Sequence, residues 1–355
     1  MINKSAPEPR QEIARIPLMK NSIVLYLLFL PAIMIAETVS YGEDPFVLGM
    51  SIDAYALGNI RALPMANPSP GSNVASLNNR EFKLALQHTE GFGGVYQTDV
   101  LSASKDKWSI LIFRGGVSGI PDTRDALLDY GSDGVEGTYD PDSTEGNGQL
   151  DPGERLSINS IDYFSTQQFL SELGYTYQLN QSLAFHGTFR LLYHDLFSES
   201  GFGVGFHGGM LYEPLNNLQL GIELTDALGT TIFWSSGLTE VYKPQLFTAV
   251  EYRLVSQKVP FVLHPIFQAE FSFDGDQAQL NKGKWGYSGG LEIVFQEQLF
   301  IQLGRNALDQ FQVGALIRTR FMDLQYGTGF SDLVSIAGQT HRLGIGLKLD
   351  EFELF

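Results

Sequence analysis

From Gln167 to Leu179 the odd positions read Phe169, Ser171, Leu173, Tyr175, Tyr177 and Leu179, and the even ones Leu170, Glu172, Gly174, Thr176 and Gln178. After Asn180-Gln181 the pattern resumes. Leu183, Phe185, Gly187, Phe189, Leu191 and Tyr193 alternate with Ala184, His186, Thr188, Arg190, Leu192 and His194. Successive side chains of a strand point to opposite faces, so alternation over ~10 residues sets one face in an apolar medium and the other in a polar one. The pattern recurs along the chain with almost no helical periodicity. It predicts an all-β transmembrane antiparallel β-barrel of about fourteen strands.

The strands are expected near 81–88, 91–101, 107–117, 167–179, 182–194, 201–212, 218–228, 244–254, 260–273, 285–296, 299–306, 310–321, 322–330 and 340–350. Connection lengths give an independent check. Residues 180–181, 213–217, 255–257 and 297–298 are short links, whereas 118–166, 229–243, 274–284 and 331–339 are long, and the two kinds fall on opposite sides of the count. Outer-membrane barrels have short periplasmic turns and longer external loops, and a soluble sandwich has no reason to follow that parity. The face expected to point inward carries Glu172, Arg190, Glu223, Glu251, Arg253, Glu270, Glu292, Arg318 and Arg320. Tyr193, Tyr212, Phe273 and Phe321 sit at strand ends, where interfacial aromatic girdles form, and the chain ends in Phe355.

Ahead of the strands, Met19-Lys20 precedes the apolar run Ile23–Ala36, which is short for a spanning helix and fits a secretory signal. Residues 1–40 are therefore read as a signal-peptide region, with Met19 as the start and an uncleaved anchor as the alternative. Residues 41–80 show no alternation and are rich in Asn, Pro, Ser and Gly. They are read as an N-terminal hatch or plug folding back into the barrel, the other reading being a lead without structure. Residues 81–355 form the barrel, with a large external loop at 118–166.

Composition narrows the classes. A chain of 355 residues with no cysteine has no disulfide framework, so closure of the sheet must stabilise it. A net charge of −17 makes nucleic acid a poor partner, because little is available to neutralise phosphates. A mean hydropathy of −0.04 is unlike that of a helical membrane protein and suits a barrel with a polar lumen.

The sharpest local signal lies between Asp140 and Glu154. Counting an EF-hand-like loop back from Glu154 places Ser143, Glu145 and Asn147 at positions one, three and five, with Gly148 at the turn. The Gln149 carbonyl, Asp151 and Glu154 follow at seven, nine and twelve, and Asp140 and Asp142 lie just before. Calcium takes six to eight oxygens, and this spacing supplies them. Ser at position one departs from the pattern, no flanking helices are evident, and a solvated acidic loop is the competing reading. Asp129, Asp133 and Glu136 could extend the same site. Elsewhere Gly203–Gly208 matches G-x-G-x-x-G, but Phe202, Val204, Phe206 and Met210 alternate through it, so it reads as a strand. His186, His194 and His207 fall on inner faces of adjacent strands, where polar lining is favoured over metal binding. Ser198 and Ser200 near His194 lack a supporting motif, and no enzyme activity is expected.

Three strings carry a resemblance: Gly119–Gly131 (GIPDTRDALLDYG), the acidic stretch ending in Gly148–Arg155 (GQLDPGER), and Gly201–Phe206 (GFGVGF) with Leu211–Leu215 (LYEPL). They resemble the PorV/PorQ group of outer-membrane proteins, within the FadL-like superfamily of long-chain fatty-acid transporters. Asn73–Leu77 (NVASL) is similar to that group's N-P-A-G/S-L segment with Val74 in place of proline, and Gly58–Pro64 (GNIRALP) is a reduced form of its glycine-rich A-R-A-x-G-M-G-G-A segment. The resemblance implies a fourteen-stranded barrel in the bacterial outer membrane. It also implies either passage of a hydrophobic small molecule or a non-catalytic role with secreted proteins beside a type IX secretion machine. The alternative is a non-transporting structural or surface-interaction barrel acting through its large calcium-candidate loop. The expected partners are the lipid bilayer and a hydrophobic molecule or a secreted protein.

Overall fold

A computed structural model describes residues 38–39, 51–64, 81–137, 144–255, 259–272, 284–330 and 339–351. The chain divides into two units, Met1–Glu37 and Thr38–Phe355, and every described residue belongs to the second. Apart from Thr38–Val39, the region read as a signal peptide therefore lies outside the described residues, as do Phe273 and Phe355.

The alternating segments pair in sequence order as β1 (Lys83–Gly91), β2 (Tyr96–Lys105), β3 (Trp108–Asp122), β4 (Asp162–Asn180), β5 (Leu183–Leu196), β6 (Glu199–Leu215) and β7 (Leu218–Thr225). The second half continues with β8 (Gln245–Tyr252), β9 (Phe261–Ser272), β10 (Lys284–Phe295), β11 (Leu299–Arg305), β12 (Phe311–Arg318), β13 (Met322–Phe330) and β14 (Thr340–Lys348). β14 then pairs antiparallel with β1, from Lys83↔Lys348 to Glu90↔His341, which closes the sheet and removes its edges. This is the expected fourteen-stranded antiparallel barrel.

Its polarity is inverted relative to a soluble protein. Leu173, Tyr175, Tyr177, Phe185, Phe189 and Leu191 are exposed, while Glu172, His186, Thr188 and Arg190 between them are buried. Such a wall fits only if its outside meets hydrocarbon, where every backbone polar group must be satisfied within the sheet. Arg253 and Arg320 differ from expectation. Both are exposed in connections beyond the strand ends, where no face is inside. β3 and β4 also outrun their predicted ends, pairing as far as Asp122↔Asp162 past a register shift between Val117 and Ile120.

Two features position the interior. The first is residues 51–64, which carry helix α1 (Ile52–Ala56), N-capped by the Ser51 hydroxyl at 3.2 Å from Ala54 N. The second is an interruption of the wall. After Thr225 the chain makes a tight turn at 226–229, then resumes as Thr230–Trp234 on β6 and returns as Thr239–Tyr242 before β8. β8 pairs with β9 only up to Gln245↔Ser272, and the Thr239–Tyr242 edge is hydrogen-bonded in parallel to Thr38–Val39. Among the described residues, the Thr239–Tyr242 strand has no pairing to β9, and Thr38–Val39 lies on its outer edge.

Candidate functional site

The interior is layered, and strand register sets the layers. The 51–64 segment occupies one of them, and every residue in it is buried except Asn59, which is partly so. Glutamines on the wall satisfy its polar groups. Gln268 Oε1 accepts from the backbone N–H of Arg61 at 2.7 Å and of Ala62 at 3.2 Å, while Gln268 Nε2 donates to the Asn59 carbonyl. Gln302 and Gln325 donate to the two carboxylate oxygens of Asp53 at 3.0 and 2.8 Å, and Gln87 Oε1 accepts from Ile52 N. Gln302 also donates to Glu292, whose carboxylate, with that of Glu251, lies 3.1–3.3 Å from His264. The Arg342 guanidinium stacks 3.8 Å above the Tyr55 ring.

Close approach of this segment depends on missing side chains. A Cβ on Gly221 would lie 1.5 Å from the Ala62 carbonyl oxygen, and one on Gly304 would lie 2.2 Å from Gly58 N. The signal was present in the sequence as glycine and glutamine at alternate positions of β11 to β14, but alternation alone marks only the polar face. These wall residues were missed.

Above the segment lies a polar layer. His186 Nε2 is 2.7 Å from Glu223 Oε2, and Arg190 donates to Glu172 through Nε at 2.9 Å and NH2 at 2.7 Å. His207 lies 3.7 Å from Asp226, whose carboxylate accepts the Thr230 hydroxyl. All these side chains are buried. Two residues further along each strand the lining turns apolar. Register joins Val100, Phe113, Leu170, Leu192, Gly203 and Ile232 in one inward row across β2 to β6 and the Thr230–Trp234 strand. Leu111, Tyr242 and Trp234 pack on it, and the row ends at Ile232, whose register partner on the next strand is the buried Glu240. Its members are 0–4% exposed, leaving Gly203 aside.

The histidines singled out from the sequence do face inward, beside carboxylates and an aromatic ring. His194 meets the Trp234 ring edge-on at 5.7 Å. Among the described residues no three His, Asp or Glu side chains gather as a metal site. Of the calcium-candidate residues, Asp140, Asp142 and Ser143 lie outside the described residues. The others are engaged in hydrogen bonds within the loop. Glu154 accepts from Gly131 N and Asp151 N, both at 2.8 Å, Glu145 accepts from Gly137 N, and Asn147 bridges Asp151 Oδ2 and Gln149 N. Asp129 takes the amides of Gly146 and Gly148, each at 2.7 Å. The Gly148 amide foremost, with that of Gly146, holds the Asp129 carboxyl below its ordinary range.

No protein-family model and no curated protein sequence matches the chain. Solved structures similar to it include the toluene transporter TodX of P. putida, at 9% identity and a TM-score of 0.48, covering 83% of this chain and 96% of that one. The CymD monoaromatic hydrocarbon channel is similar at 8% identity and a TM-score of 0.48, covering 85% and 98%. The toluene transporter TbuX of Ralstonia pickettii is similar at 7% identity and a TM-score of 0.45, covering 84% and 96%.

Proposed function

We propose that this barrel, of FadL-like type, sits in a bacterial outer membrane and passes a small hydrophobic molecule. One observation carries the reading: the inward row from Val100 to Ile232 is apolar throughout and reaches the strand that follows the turn at 226–229. The row is closed, its members 0–4% exposed, so an apolar solute enters by parting these side chains and takes their place against one another. Further descent meets the buried Glu172–Arg190 pair and then the closely packed 51–64 segment. In this reading the exit toward lipid is sideways, past the Thr239–Tyr242 edge that Thr38–Val39 covers, and costs an apolar molecule nothing in desolvation. In this reading residues 41–80 are the hatch, and its described part blocks the axial route. The test is native mass spectrometry of barrel purified from its own membrane. One small apolar molecule per barrel is expected, lost in Leu192→Gln with the fold retained. A co-purifying secreted protein with no such molecule, or the same molecule in both forms, would overturn the reading.

Calcium at Asp140–Glu154 is a further proposal and rests on oxygen spacing. Limited proteolysis of the 123–161 loop tests it together with the role of Asp129. Chelation at neutral pH should speed cleavage there, and equal cleavage with calcium and with chelator removes the metal. Because the folded pKa of Asp129 is depressed, its ordering contribution is full above the unfolded value of about 4 and disappears as pH falls through the folded one. Cleavage by an acid-active protease should therefore rise below about pH 4, and Asp129→Asn should show the raised rate at neutral pH.

A further inference from the structure

The outward row at the level of Tyr326 continues through Leu343, His88, Asp99 and Arg114 to Phe169, Tyr193 and Phe202. Aromatic side chains at this height form the girdle of a membrane wall. In its midst stand three polar groups that face away from the lumen. His88 Nδ1 is 2.8 Å from Asp99 Oδ1, and Arg114 reaches Asp99 through NH1 and Gln167 through Nε, both at 3.4 Å. A guanidinium has five N–H donors, and these two bonds are long, so Arg114 has donors to spare. Glu90 extends the negative side, 3.7 Å from His88 Nε2.

Directly beneath, the outer wall is concave. Leu86, Leu101, Ile112, Leu324 and Ile345 line a hollow of about 730 Å³ whose upper rim is His88, Asp99, Arg114 and Tyr326. Its volume lies in the range of small-molecule sites. A hollow of hydrocarbon side chains topped by a cation and a carboxylate is complementary to an amphiphile whose head bears both signs. A purely anionic head would meet Asp99 and Glu90 as well as Arg114, whereas an ammonium beside a phosphate satisfies both. We infer that this face is a binding site for a zwitterionic phospholipid of the phosphoethanolamine class. The phosphate sits on Arg114, the ammonium on Asp99 and Glu90, and an acyl chain lies along Leu86, Leu101 and Ile112. The site is on the outside of the wall and is independent of the lumen route.

The experiment is native mass spectrometry of full-length barrel in detergent, titrated with phosphatidylethanolamine and, separately, phosphatidylglycerol of identical chains. One tightly held phosphatidylethanolamine is expected, preferred about tenfold over phosphatidylglycerol. Asp99→Asn should abolish the preference, whereas Arg114→Gln, which removes the phosphate's partner, should lower retention of both lipids. Ala315→Trp, which fills the hollow without touching the charged groups, should lower retention of both lipids, and heat-modifiable migration on gels reports that each variant is folded. Equal retention of the two lipids, preference for the anionic one, or indifference to all three substitutions would overturn the site. Loss of the lumen molecule in Leu192→Gln should leave this lipid bound, which separates the two results.

Discussion

Replacing Gly221 with leucine should expel residues 51–64 from the barrel while leaving the strands paired. The Ala62 carbonyl occupies the space that any Cβ at this position requires, at 1.5 Å from its ideal place, and the obstacle is backbone. The wall at Gly221 is held by pairing to both β6 and β8, so the segment must yield. Overpacking of ~2 kcal/mol shifts the docked population about thirtyfold. The chain has no cysteine, so a single Leu63→Cys reports the change cleanly. In the parent the thiol is buried and should resist a membrane-impermeant maleimide, and with Gly221→Leu it should label rapidly. Gly208→Ala on the outer face is the control. Continued protection in Gly221→Leu would mean that the wall yields, and that the segment is a fixed part of the core.

The barrel was legible because one face of each strand meets hydrocarbon and the other does not, which forces alternation wherever a strand crosses the membrane. The same cause explains the misplaced boundaries. Pairs such as Pro121↔Tyr163 extend a strand pair past the membrane, where both faces meet water and the pattern fades. Arg253 and Arg320 were read as inner by continuing the alternation into the turns. The internal segment left no periodicity because α1 has five residues, fewer than two turns. What remained readable was its imprint, the glycines and glutamines opposite it. In the 123–161 loop the oxygen spacing was visible, but spacing does not say whether a lone pair faces a cation or an N–H. Asp129 and Glu154 face amides. The lipid-facing cluster His88–Asp99–Arg114 lies on three separate strands, and only the register brings it together.

Arg190→Leu should destabilise the barrel by ~3–5 kcal/mol, because it leaves a buried carboxylate without its cation. Glu172 and Arg190 face each other across β4 and β5, with side chains 8% and 3% exposed and two hydrogen bonds of 2.9 and 2.7 Å between them. The double change Glu172→Leu with Arg190→Leu removes both desolvation penalties and should restore most of the loss. Urea unfolding in detergent micelles, followed by heat-modifiable migration, measures all three forms. The double variant carries a second consequence for the proposed route. It replaces the charged pair below Leu170 and Leu192 with an extension of the apolar row, while His186–Glu223 and His207–Asp226 remain, so the hydrophobic molecule should be held more tightly and leave more slowly. If Arg190→Leu alone costs less than about 1 kcal/mol, water reaches the pair. The layer then no longer separates the apolar row from the 51–64 segment, and the argument for a sideways exit loses one of its two barriers.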